Sequence, residues 1–195
     1  LNDILTRKAN AVAMTKFRVG KNGFIELILC YSVVRWSKYS LKSSHDDEQV
    51  LREKCFKLLT KREHSRFELI YKLSQRGFDR PLVEQVVDRM QEEGWQSDER
   101  FAQSFAREKV MQRQGRTKIV AQATQQRGVD KALIDQALQR LEVDWFELCQ
   151  QVYRSKFGST QPSDRKDWAK RARFLMQRGF SQEQIKFAIQ AHDDD

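Results

Sequence analysis

The chain has 195 residues, with 36 Lys/Arg against 27 Asp/Glu, a net charge of +9, two prolines and eight glycines. That length holds one ordinary domain or a compact row of small units with a real core. Long stretches rich in Gln, Glu, Lys, Arg and Ala, with few β-branched runs, favour an all-α chain and argue against a sheet protein.

Residues 1–44 carry eight Lys/Arg against two Asp/Glu, so the remainder is only +3 and the overall charge says little about what the folded part binds. This stretch reads as a basic N-terminal extension outside the pattern that follows. Its apolar run FIELILCYSVV (24–34) is interrupted by Glu26, is too short to span a bilayer, and has no small-residue cleavage site after it. The expectation is a cytoplasmic protein with no membrane partner. Cys30, Cys55 and Cys149 are odd in number and scattered, which reads as small core residues in a reducing compartment.

After a boundary near KYSLKSSHDDE (38–48), the predicted folded domain covers 45–195. A first helix runs from about Asp47 with Val50, Leu51, Cys55 and Leu58 on one face. A second starts at Ser65, whose spacing to Glu68 makes a capping box, and turns Leu69, Ile70 and Leu73 inward. His64, just before that cap, reads as solvent-facing. The helix ends in QRGF (75–78), where Arg76 suits the negative end of the helix dipole and Gly77 enters the left-handed conformation at least cost. Phe78 is expected to fold back on Leu73 as in a Schellman cap. Asp79 then caps a third helix, with Pro81 in its first turn and Leu82, Val83, Val86, Val87 and Met90 inward.

Gly94-Trp95, with Met90 five residues before the tryptophan, is another such stop. A helix capped by Ser97 follows, carrying Phe101, Phe105 and Val110. The chain then reaches QRGV (126–129), with Val129 over Thr124, and a helix capped by Asp130 with Leu133, Ile134, Ala137, Leu138 and Leu141 inward. Asp144 caps the next helix, with Phe146, Cys149, Val152 and Tyr153. A looser link, FGSTQPSD (157–164), leads to the helix holding Trp168, Ala172 and Leu175, in which Trp168 reads as core. QRGF returns at 177–180, with Phe180 over Leu175, before a helix with the Ser181–Gln184 capping box and Ile185, Phe187, Ala188 and Ile189 inward.

Gly77, Gly128 and Gly179 are therefore spaced by 51 residues twice. Each copy is a helix, a stiff corner and a helix, preceded by a leading helix. The predicted fold is all-α: three tandem three-helix repeats (about 46–94, 97–142 and 144–191) in an elongated curved array, each burying its open face on its neighbour.

No catalytic constellation is apparent. His45, His64 and His192 lie far apart in sequence without metal-ligand spacing, and Asp193–Asp195 form a solvated acidic tail. No P-loop, dinucleotide fingerprint or serine elbow is present, so neither a cofactor nor an enzyme is expected. Two stretches are locally basic, each +6: 100–128 and 154–178. From them the candidate contacts to a partner or DNA are Arg107, Lys109, Arg113, Arg116, Lys118, Arg127, Arg154, Lys156, Lys170, Arg171 and Arg173. Polarised charge on a helical array suits a large, charged, extended partner.

LTKREHSRFELIYKLSQRGFD (59–79) resembles the first-repeat pattern of the RecX family, regulators of the bacterial recombinase RecA: an Arg, a Ser-x-x-Glu-Leu helix start and a Leu-x-x-x-Gly-Phe stop. EEGWQSDERFAQSFAREKVMQRQGRTKIVAQATQQRGVD (92–130) resembles its second-repeat pattern: Gly-aromatic, an acidic pair, Arg-Phe-Ala, a second aromatic, Gly-Arg and the glycine turn. The likeness covers about 48–191. It implies three tandem three-helix repeats without enzymatic activity that bind RecA and its filament on single-stranded DNA, lie along the filament groove, and limit filament growth, ATPase, strand exchange and co-protease activity; a monomer with weak direct DNA binding is expected. The 44-residue extension departs from the family. The alternative, a stand-alone helix-turn-helix DNA-binding protein, would need a helix presenting Arg, Asn or Gln to base edges, whereas the helices after the glycine turns begin with apolar pairs such as Leu82-Val83. A metal-dependent nuclease would need a carboxylate cluster that the sequence does not suggest.

Overall fold

The computed structural model describes residues 44–190. The expectations for the extension, for Cys30 and His192 and for the acidic tail lie outside these residues. The described part contains helices and no strand. In chain order they are α1 (Ser44–Leu59), α2 (Arg66–Ser74), α3 (Arg80–Glu92), α4 (Asp98–Met111), α5 (Arg116–Ala121, continued by a π-helical turn Gln122–Gln126), α6 (Lys131–Arg140), α7 (Trp145–Phe157), α8 (Arg165–Arg178) and α9 (Gln182–Gln190).

Three separate apolar clusters sit one in each group of three helices. Leu51, Cys55, Leu69, Leu73, Val83, Val87 and Met90 close the first. Phe101, Phe105, Ile119, Ala123, Ile134 and Leu138 close the second, and Cys149, Tyr153, Leu175, Phe180, Ile185 and Ile189 the third. The period-3.6 stripes read from sequence supply almost all of these side chains. Four expected core residues fall outside, among them Val50, Phe146 and Phe187, which are exposed. The last two cover each other edge to face, with ring centroids 5.4 Å apart, which recovers part of the apolar contact the core does not provide. Trp168, also expected inside, is 37% exposed.

The N-caps largely follow the sequence. Ser97, Asp130 and Asp144 each accept a backbone N–H of the following turn, and Ser181 and Gln184 form the reciprocal box, with N···O distances of 2.9 and 3.3 Å. Asp79 occupies the cap position without a side-chain bond. Ser65 accepts from Glu68 N–H at 3.1 Å, but Glu68 does not reciprocate, because its carboxylate is drawn into an ionic cluster described below.

The three glycine turns share letters and left-handed glycines, with φ of 86° at Gly77, 64° at Gly128 and 93° at Gly179. Their hydrogen bonds nevertheless differ. Only the third is a Schellman cap, Phe180 N–H returning to Leu175 O at 3.3 Å. The first ends in tight three-residue returns, Arg76 to Leu73 and Gly77 to Ser74. In the second, Val129 N–H reaches back six residues to Ala123 O at 3.0 Å. The physical reason is length. From N-cap to glycine the chain takes 12 steps in the first copy (Ser65 to Gly77) and 13 in the second (Gly115 to Gly128). The π-helical turn absorbs the additional residue, since each π hydrogen bond encloses one residue more than an α bond.

The turns also join the units. Arg127 O, at the end of the second turn, accepts from the Ser65 hydroxyl at 2.6 Å, and a Cβ at Gly128 would lie 2.7 Å from that of Phe67. In the third turn, Arg178 O accepts from Gly115 N–H at 2.8 Å and Gly179 O from Thr117 N–H at 3.2 Å. A Cβ on Gly115 would stand 2.3 Å from Gly179 C and O. Each of these turns seats its orphan C-terminal carbonyls on the donor-rich start of the previous unit's middle helix. Two sets of unsatisfied groups thereby complete each other, with opposite dipole ends in contact.

Candidate partner-binding surface

Two ionic clusters account for charges that sequence alone leaves unassigned. At the first junction Glu68, only 4% exposed, accepts from Arg62 at 3.0 and 3.2 Å and from Arg127 at 2.7 Å. Burial works to raise the Glu68 pKa, yet the hydrogen bonds and charge of Arg62, with the charges of Arg127 and Lys72, hold it below the ordinary carboxylate value. His64 contradicts its solvent-facing reading: it is buried, Nδ1 sits 3.0 Å from Arg62 O and Nε2 lies 2.9 Å from Lys72 Nζ. The carbonyl can only accept and the ammonium can only donate, so His64 is the neutral Nδ1–H tautomer. Burial first, then the charges of Arg62 and Lys72, depress its pKa.

The second cluster closes the third unit. Arg171 donates to Asp167 (3.0 Å), Tyr153 Oη (2.7 Å), Thr160 O and Gln161 O (3.3 Å). Its guanidinium also lies over the Phe157 ring at 5.2 Å. Hydrogen bonding to Asp167 raises its pKa and lowers that of Asp167.

These clusters sort the eleven candidate cations. Arg127 and Arg171 are committed inside the fold. Lys118 donates to Gln177 O at 3.2 Å across the second junction, and Arg116 pairs with Asp135 at 2.8 Å. Lys109 is mostly covered, pairing with Glu108 and lying over Phe105. Arg107, Arg113, Arg154, Lys156, Lys170 and Arg173 are exposed and carry no ion pair among the described residues. Lys166, Lys170 and Arg173 line one cleft of about 500 Å³ along α8, as residues three and four apart must on a helix.

Among the described residues no group of His, Cys, Asp and Glu has the arrangement to hold a metal ion, and no helix is long and apolar enough to cross a membrane. Cys55 and Cys149 are buried free thiols, pushed by burial up to about 11 and about 12. Neither is a reactive thiolate at neutral pH.

The chain matches three family models in tandem. Residues 52–90 match "RecX, first three-helix domain", 97–138 the second three-helix domain and 142–189 the third. "Regulatory protein RecX" of Halorhodospira halophila is 40% identical over 147 residues, covering 75% of this chain and 91% of that protein. Its counterparts in Pseudomonas entomophila and Vibrio campbellii are 38% and 33% identical, covering 76% and 74% of this chain and 95% and 92% of theirs. A crystal structure of RecX from Lactobacillus salivarius superposes with a TM-score of 0.63 at 20% identity, over 76% of this chain and 98% of that one. A second RecX crystal structure gives 0.63 at 16% identity, over 93% and 83%.

Proposed function

The chain belongs to the RecX family, and from that premise we propose that it is a non-enzymatic, cytoplasmic regulator of RecA. In this reading it binds RecA and RecA filaments on single-stranded DNA as a monomer, without a cofactor, and limits filament growth, ATPase, strand exchange and co-protease activity. Its repeats divide at about 46–94, 97–142 and 144–191. The observation that carries the reading is the match of all three helical units, in order, to RecX domains.

The charge distribution supports a filament partner. With Lys109, Arg116, Lys118, Arg127 and Arg171 held by the fold, the candidates available to phosphate are Arg107, Arg113, Arg154, Lys156, Lys170 and Arg173. Such contacts position a protein on nucleic acid without reading its sequence. They favour loose, salt-sensitive binding over selective duplex recognition.

The test is DNA-dependent ATP hydrolysis by RecA. Substoichiometric protein is expected to slow it, and Lys170→Glu with Arg173→Glu to weaken that effect while far-UV circular dichroism is unchanged. No slowing by equimolar wild-type protein would overturn the proposal.

A further inference from the structure

The glycine turn is written three times but seated only twice. The turns at Gly128 and Gly179 lie on the starts of α2 and α5, their carbonyls taken by Ser65 Oγ, Gly115 N–H and Thr117 N–H. At the first turn Gln75, Arg76 and Gly77 are exposed, and a Cβ on Gly77 would meet nothing within 4 Å. No hydrogen bond reaches Arg76 O or Gly77 O among the described residues. The docking half of a junction used elsewhere in the molecule is left open.

Beside it lies a cleft of about 430 Å³, lined by Phe67, Ile70, Tyr71 and Ser74 of the helix that leads into the turn, by Gln75 of the turn and, at its far side, by Gly128 of the seated second turn. Phe67 and Tyr71 are 49% and 59% exposed and stacked nearly parallel, 9° apart with centroids at 6.4 Å. At the same distances from the N-cap, α5 carries Thr117 and Ala121. The aromatic pair therefore belongs to the first unit and not to the repeat's common packing. Ser74 Oγ is buried there without a partner. The rim carries no positive excess: Arg66 pairs with Asp88 at 2.7 Å and Arg80 with Glu84 at 2.8 Å, while Asp98 accepts from Arg66 N–H at 2.8 Å. A rim without excess positive charge around an aromatic floor offers little to a phosphate backbone and suits a polypeptide.

We propose that the open turn at 75–77 and the Phe67/Tyr71 cleft form a protein-docking surface, and that its occupant is a helix of a RecA subunit. That helix would present its N-terminal donors to Arg76 O and Gly77 O and an apolar side chain to the aromatic pair. The seated turns show the mode: a helix N-terminus supplies hydroxyl or amide donors to the turn's carbonyls. The inference rests on the RecA reading above and adds where on this chain the recombinase contact lies, distinct from the cations of α7 and α8.

The experiment is co-sedimentation of the full chain with RecA filaments on single-stranded DNA, using wild type, Phe67→Ala/Tyr71→Ala and Tyr71→Glu. Because Phe67 also abuts Gly128, the single change at Tyr71, 59% exposed, guards against a junction effect. Both variants are expected to keep wild-type helicity and bind at least ~10-fold more weakly, as for truncated aromatic anchors. A photo-crosslinking residue at position 71 is expected to label RecA. Undiminished binding by both variants, or labelling of DNA alone, would overturn the inference while leaving the regulatory reading intact. Failure of the wild type to sediment would overturn both.

Discussion

Gly115→Ala tests the junction between the second and third units directly. Gly115 has φ of −78°, which alanine adopts freely. Judged by chain entropy alone the change would stabilise the protein by about 0.4–1 kcal/mol. The close approach reverses the sign. The new Cβ would sit 2.3 Å from Gly179 C and O and 2.6 Å from Phe180 N, whereas carbon contacts are comfortable at about 3.5–4.0 Å. Both neighbours are backbone, so relief requires moving the start of α5 off the turn. That movement loses the Gly115–Arg178 and Thr117–Gly179 hydrogen bonds, of 2.8 and 3.2 Å. Overpacking costs about 1–3 kcal/mol and each lost bond about 1 kcal/mol, for a total of about 3–5 kcal/mol. The control is Gly77→Ala, where φ is 86° and space is open. It bears only the left-handed cost of about 1–2 kcal/mol. Urea unfolding followed at 222 nm should place Gly115→Ala well below Gly77→Ala in midpoint. Equal midpoints, or a stabilised Gly115→Ala, would refute the backbone-on-backbone junction.

Two further predictions concern the ionic clusters. The folded protein holds His64 neutral with a depressed pKa, while the unfolded chain protonates it near the ordinary value of about 6.5. The unfolded state therefore binds more protons below that pH, and stability is expected to be level above it and to fall as pH drops through 6.5 toward the folded pKa. Glu68, also depressed, adds a second loss below the ordinary carboxylate range. His64→Gln should remove the first loss in urea titrations between pH 7.5 and 5.5, and parallel curves for the two proteins would count against the assignment. Arg171→Lys keeps the charge but loses the planar fork that binds Asp167, Tyr153 Oη and two carbonyls. Amide exchange in 160–163 should quicken by about 10-fold, and an unchanged rate would show that the clamp is dispensable.

Most of the helices, their caps and the apolar stripes were legible in the sequence because each depends on residues within one or two turns of each other, whereas α5 with its buried Ile119 was not singled out. Ser97, Asp130 and Asp144 needed only the next three residues to be recognised as caps. The charges were not legible, because their partners are distant: Arg127 meets Glu68 across 59 residues, and Lys118 meets Gln177 across another 59. A count of Lys and Arg treats these as free, while the fold uses them at its junctions. His64 was misread as well: its ring meets Arg62 O and Lys72 Nζ, and its carbonyl accepts from the distant Gln96 amide at 3.2 Å. Gly115 had a faint local signal as a glycine at a helix start, but nothing in its neighbourhood reports a backbone arriving from residue 179.

The position before each middle helix explains how the units are joined and why the third is different. Ser65 offers a hydroxyl and Gly115 a bare amide, and both can give a hydrogen to the carbonyl of an arriving turn. Asp164 stands at the corresponding cap of α8, and its carboxylate accepts from Asp167 N–H at 2.7 Å. A carboxylate cannot donate to a carbonyl as the Ser65 hydroxyl does, and Asp164 carries the Cβ whose absence at Gly115 lets an arriving backbone come close. The helix it caps also begins earlier, 15 residues before Gly179 against 12 and 13 in the other copies. The third unit thus contributes a turn to its neighbour and is not built to receive one, while the first receives a turn and leaves its own unseated. A row of three joined in this way has unlike ends, and the end with open carbonyls is the one equipped to hold something else.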